Sequence, residues 1–135
     1  MTKKYLNDLT YIIIGSAIEI HKELGPGLLE SVYEKCMIHY LKNEGFSVTA
    51  QQKVPLTFKG LQLDCELRYD LLVENEIIVE IKAVDTLLPV HEAQLLTYLK
   101  LLDKFKGVLI NFNCTNIFKE GQRTFVTEKY ASLLP

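Results

Sequence analysis

Apolar residues recur at helical spacing near the start of the chain. Ile13, Ala17, Ile20 and Leu24 mark one stripe, and the spacing predicts a helix over residues 5–24. Asn7 or Asp8 can cap its start, and Gly25-Pro26-Gly27 ends it. A second helix is predicted from Leu28 to Asn43, stopping before Gly45. Leu29, Val32, Cys36 and Tyr40 form its stripe, widened by Tyr33, Met37 and Leu41. Glu30 precedes Tyr33 by one turn, which puts it at the N-terminal end of that apolar face.

The period then changes. "FSVTAQQKVPLTF" alternates polar and apolar residues and contains Pro55, which suits an outer strand. Lys59-Gly60 is a turn signal. "LQLDCELRYDLLV" and "IIVEIKAV" read as the next two strands. Pro89 opens a helix over about 90–104, with Ala93, Leu95, Leu96, Leu99 and Leu102 as its apolar positions. "GVLINF" is a continuous apolar strand of the kind covered on both faces. "RTFVTE" is a short final strand after a turn at Lys119-Glu120-Gly121. The order α-α-β-β-β-α-β predicts an α/β protein with a mixed sheet flanked by helices.

Composition narrows this reading only modestly. The 135 residues fit one domain, 1–135, and no apolar run approaches the roughly 20 residues of a membrane span. "MTKKYLNDL" lacks the apolar core of a secretory leader, and the three cysteines, Cys36, Cys65 and Cys114, form no CxxC pair. A cytoplasmic protein with free thiols is expected. The histidines form no HExxH pair, so a zinc protease is not indicated. His21 reads as a satisfied boundary residue, and His91 as a capping or surface group. The net charge of −2 gives no global basic signature. Its distribution says more. Residues 64–85 hold seven acids and two bases, a balance of −5, which leaves +3 for the remainder. An acidic block in an apolar setting is what a divalent cation neutralises, although Asp64, Glu74 and Glu76 read as solvated turn and edge charges.

Within that block, "YDLLVENEIIVEIKA" places Asp70, Glu80 and Lys82 on an apolar hairpin. Glu80 and Lys82 share a strand face. Asp70 joins them only in one register. A two-residue turn at Glu74-Asn75 pairs Asp70 with Val79; a three-residue turn, Glu74-Asn75-Glu76, pairs it with Glu80. Asn75 tolerates left-handed geometry, so both remain open. In the second register two carboxylates face each other beside an ammonium. Such a pair resists ionising together, and Mg²⁺ or Mn²⁺ with hard oxygen ligands resolves the conflict. The cation activates a water and stabilises charge on a phosphodiester, while Lys82 positions or deprotonates that water or binds the phosphate. The competing structural reading is a buried Glu80–Lys82 ion pair with Asp70 capping locally. Gln94 and Tyr98, four apart in "HEAQLLTYL", project together from the third helix and suit orientation of a substrate or of the lysine.

With these residues assembled, the chain resembles the GxxExxY family of the PD-(D/E)XK nuclease-like superfamily. The signature is Gly27-x-x-Glu30-x-x-Tyr33 in "GLLESVY", followed by "YDLLVEN", "VEIKAV", "HEAQLLTYL" and "LINF". The resemblance spans about Ile13 to Val126, with Tyr69 where the superfamily name has Pro. It implies a restriction-endonuclease-like αβββαβ core, to which the first helix is an addition. It implies that Asp70, Glu80 and Lys82 are the motif residues, and that Glu30 is the first core helix's acid, which helps hold the metal. Gln94 and Tyr98 match its QxxxY motif. The expected function is Mg²⁺-dependent (or Mn²⁺-dependent) hydrolysis of phosphodiesters, most of all in DNA. The ligands would be Asp70, Glu80, the Ile81 carbonyl and Glu30, and the catalytic group Asp70, Glu80, Lys82, Gln94 and Tyr98. The alternative is a catalytically silent module that binds nucleic acid or protein; a third reading is hydrolysis of another phosphate ester. A chain this small needs a second copy or a protein partner to grip a duplex, and Lys100, Lys104, Lys106, Lys119 and Arg123 are its nearest approach to a basic patch.

Overall fold

A computed structural model describes residues 1–135. Helix α1 spans Lys3–Leu24 and α2 spans Glu30–Asn43. The strands are β1 (Val48–Ala50), β2 (Leu56–Phe58), β3 (Leu61–Leu63), β4 (Leu71–Val73) and β5 (Ile77–Lys82). Helix α3 (Pro89–Leu101), β6 (Lys106–Asn111) and β7 (Gln122–Val126) follow, with a π-helical turn at Ile117–Gly121 and a 3-10 turn at Glu128–Ser132. No helix is long and apolar enough to cross a membrane.

Five strands form the main sheet in the order β1-β4-β5-β6-β7. Only β5 and β6 run parallel, and α3 makes the crossover between them. The run α2-β1-β4-β5-α3-β6 has the expected αβββαβ order, with α1 as the addition. Two segments expected as single strands each divide: "FSVTAQQKVPLTF" gives β1 and β2, and "LQLDCELRYDLLV" gives β3 and β4. β3 pairs with β2 in a separate two-stranded arm, and β4 enters the main sheet. Pro55 precedes β2 and cannot donate to a ladder, which suits a break between β1 and the arm.

Two apolar layers cover the sheet. On one face Leu71, Val73, Ile77, Val79 and Ile81 pack against Leu6, Ile13 and Ala17 of α1 and Tyr33, Met37 and Leu41 of α2. On the other, Leu72, Ile78 and Leu109 pack against Leu95, Tyr98 and Leu99 of α3. Helix α3 lies directly on the backbone of β6. A Cβ at Gly107 would stand 2.7 Å from Leu95 Cδ1.

Three local expectations are corrected. The α1 cap is Thr2, whose hydroxyl accepts from the Tyr5 amide; Asn7 instead points toward β6. The buried face of α2 is Tyr33, Met37 and Leu41, while Leu29 is 74% exposed, because the helix begins only at Glu30. The turn at 119–121 is the end of the π-helical segment. The α1 terminus falls where expected: Gly25 has a positive φ of 67° with an extended ψ of −174°, and its amide donates to the His21 carbonyl.

Candidate active site at the end of the β4–β5 hairpin

The hairpin has the three-residue connection. Glu74 and Asn75 are both left-handed, with φ of 52° and 56°, and the Glu76 amide donates to the Val73 carbonyl. Glu76 is then the extra residue, so Val73 lies opposite Ile77 and Leu71 opposite Val79. Continued one step, this register sets Asp70 against Glu80. Regular pairing stops at that step. The Asp70 amide donates to Glu80 Oε2 at 2.8 Å, and the Ile81 amide donates to Asp70 Oδ2 at 2.7 Å. Each carboxylate thus takes the hydrogen bond that a strand carbonyl would have accepted.

The chain bends at Asp70, and the bend places its carboxylate at the sheet's end. Leu71 faces the α1/α2 layer, Leu72 faces α3, and Tyr69 packs under α3 as well. Ile81 has its amide on the Asp70 side, whereas the next carbonyl, that of Lys82, accepts from Phe112. Alternation along β5 therefore directs the Ile81 carbonyl toward Asp70 too.

Electrostatics make this pair unusual. Glu80 is only 3% exposed. Burial, then the facing Asp70 charge, push its pKa up to about 8; the Asp70 amide and the Lys82 charge oppose the rise. Lys82 is half-buried and lies on the same strand face as Glu80, yet no carboxylate comes within ion-pair distance of it. The buried Glu80–Lys82 ion pair is corrected accordingly. Asn111, opposite Lys82 in the ladder, steadies the chain beyond it. Its side chain accepts from the Val84 amide and donates to the Val84 carbonyl.

The other anticipated residues are spread around this centre. Tyr98 is 3% exposed. Burial first, then the Glu80 and Asp70 charges, raise its pKa, with the Arg68 backbone amide opposing. Gln94, one turn earlier on α3, is exposed and makes no hydrogen bond within the chain. Glu30 is exposed at the start of α2 and also lacks a hydrogen bond. The α2 acid in the network is Glu34, one turn on. Gln51 Nε2 donates to Glu34 Oε1 and Oε2, both at 3.1 Å, and lies 3.2 Å from Asp70 Oδ1. Burial raises the pKa of Glu34; the Gln51 bond opposes this, and Asp70 and Glu30 add to it. Sequence reasoning missed Glu34 and Gln51. The available signal was the i,i+4 spacing of Glu30 and Glu34.

Tyr33, the last residue of the signature, has a structural use. The Tyr33 hydroxyl donates to the Gly25 carbonyl at 2.6 Å and accepts from the Leu28 amide, and its ring stacks on Phe112 at 4.2 Å. His21 Nε2 lies 2.9 Å from the Cys114 carbonyl, and His91 Nδ1 accepts from the Leu88 amide. Both histidines have the ordinary roles expected of them. The five cations do not form one patch. Lys106 is buried, Arg123 pairs with Glu92, and Lys104 donates to Asn75.

No three His, Cys, Asp or Glu side chains converge as a ready-made metal cluster. The donor set still fits a hard divalent cation. Two carboxylates meet at the strand end with the Ile81 carbonyl directed toward them, and one carboxylate is held against ionisation by burial and then by its neighbour. Magnesium binds through one or two carboxylates and keeps several waters, so a third acid is not required.

The strand order and helix placement are those of a restriction-endonuclease-like fold. The chain belongs to the PD-(D/E)XK nuclease superfamily, whose family model matches residues 7–124. Neither a curated protein nor a solved structure matched the chain. Membership points to nuclease-like chemistry on nucleic acid and, generally for this superfamily, to divalent metal.

Proposed function

We propose that this protein is a Mg²⁺-dependent nuclease of the GxxExxY branch that hydrolyses phosphodiesters in DNA within the cytoplasm. The observation carrying this reading is the reciprocal Asp70–Glu80 arrangement. Two facing carboxylates, one with its pKa raised to about 8, occupy the carboxyl end of β5. Asp70, Glu80 and the Ile81 carbonyl would hold the cation, with Glu30 adjusting the shell from α2. A divalent cation bound there supplies water activation and neutralises charge on the phosphate.

The chain's own groups do the rest. Lys82, free of an acid partner, is available to orient the attacking water or to bind the scissile phosphate. Tyr98 closes the floor beneath the acids, and Gln94 offers an exposed amide at the rim. A second copy or partner protein would widen the grip on a duplex.

The test is cleavage of single- and double-stranded DNA, with RNA in parallel, by purified protein with Mg²⁺ or with EDTA. Metal-dependent cleavage lost in both Asp70→Ala and Lys82→Ala, each still folded by circular dichroism, is expected. Full activity in both variants would sink the mechanism.

A further inference from the structure

Gln51 joins two acids that lie far apart in sequence. Its amide nitrogen is surrounded by three carboxylate oxygens, two from Glu34 at 3.1 Å and one from Asp70 at 3.2 Å. Its orientation is dictated by chemistry: all three neighbours are acceptors, and only the NH₂ end of an amide can face them. An amide has two hydrogens for these three oxygens. A small dipole with partial positive charge thus stands where two negative groups approach each other.

The backbone holds it there. Gln51 is left-handed at φ 54°, an uncommon state for a residue other than glycine. Its own amide donates to the Asp70 carbonyl at 3.0 Å, and Arg68 Nη1 donates to its carbonyl at 3.1 Å. Strained backbone of this kind collects at functional sites. Gln51 directly follows β1, so the edge strand delivers the amide to the end of the hairpin.

We propose that Gln51 is a positioning residue that competes with the divalent cation for Asp70 and Glu34, and so sets the cation affinity of the site. Its amide keeps the two acids together in the absence of the cation and must turn away from them when the cation enters. Glu34 then becomes the α2 acid that shares the cation's field with Asp70. The inference rests on the reading of Asp70 as a metal ligand.

The test is calorimetric titration with Mn²⁺, independent of catalysis. Gln51→Leu removes the donors at similar size. Gln51→Asn keeps an amide and tolerates the left-handed backbone but is one methylene too short to bridge. Each should bind Mn²⁺ roughly tenfold more tightly, the equivalent of one hydrogen bond to a charged group. Each should also melt at lower temperature than wild type in EDTA, with the gap closing on addition of Mn²⁺. In a Glu34→Gln background, Gln51→Leu should give a smaller gain, because only the bond to Asp70 is then left to remove. Unchanged or weaker Mn²⁺ binding in both Gln51 variants, with Asp70→Ala abolishing binding, overturns the competition while leaving the site intact. Identical titrations of wild type and Asp70→Ala overturn the site itself.

Discussion

The main sheet buries one charge at each end, and the two are treated very differently. Lys106, 5% exposed at the start of β6, sits among neutral groups. Its ammonium donates to Asn7 Oδ1 at 2.6 Å and lies 5.8 Å from the centre of the Tyr130 ring. Burial alone lowers its pKa. Glu80, at the far end of the neighbouring parallel strand, faces a second carboxylate. One end answers a buried charge with dipoles and is satisfied. The other gives its carboxylate one amide donor and sets a like charge against it. Burial shifts both groups toward their neutral forms, and only at Glu80 does a neighbouring charge add to it.

Exchanging the charges tests this contrast most severely. Glu80→Ala should lower metal-dependent cleavage by roughly 10²–10³-fold. Lys106→Met, which keeps much of the volume, should leave cleavage unchanged. Steady-state assays on both variants compare the two ends directly, and equal losses would erase the distinction.

The next effect is on stability against pH. The folded pKa of Glu80 lies above its unfolded value of 4.5, so folding takes up a proton between these values. Stability in EDTA should therefore fall as pH rises from about 5 to 8, by on the order of 3 kcal/mol. Glu80→Gln should flatten that slope, and Mn²⁺ should restore wild-type stability at pH 8. Lys106 has the opposite sign. Its lowered pKa makes stability rise with pH, in the window between that value and 10.5. Denaturant melts across pH separate the two slopes.

Smaller still is Asn7→Ala. It removes the oxygen that receives the Lys106 ammonium and the Tyr130 hydroxyl. A loss of about 1–3 kcal/mol is expected, with Mn²⁺ affinity unaltered. Glu30→Ala should matter least, within about 0.5 kcal/mol in urea melts. It should also shift Mn²⁺ affinity less than Glu34→Ala in the same titration.

The two ends were unequally legible in the sequence. The αβββαβ order, the buried "GVLINF" strand and the helix carrying Tyr98 follow from period and turn residues. The Asp70–Glu80 meeting depended on one turn, where Asn75 allowed either register; the outcome has Glu74 left-handed as well, with Glu76 as the added residue. The division of "LQLDCELRYDLLV" was hidden because both pieces are strands, only in different sheets. The exposure of Leu29 and Val32 was hidden because their spacing fits a stripe that the helix start does not use. Gln51 was illegible for a tertiary reason. It lies 17 residues from Glu34 and 19 from Asp70, and no local pattern announces a bridge across those distances.

Gly107 governs the depth of the space above Glu80. With no Cβ there, Leu95 rests on the β6 backbone, and Tyr98, one turn further along the same helix, is drawn down beside the acids. A position without a functional group thus lets the helix that carries Tyr98 lie close on the sheet. A methyl at 107 would press on the Leu95 side chain without touching any charge.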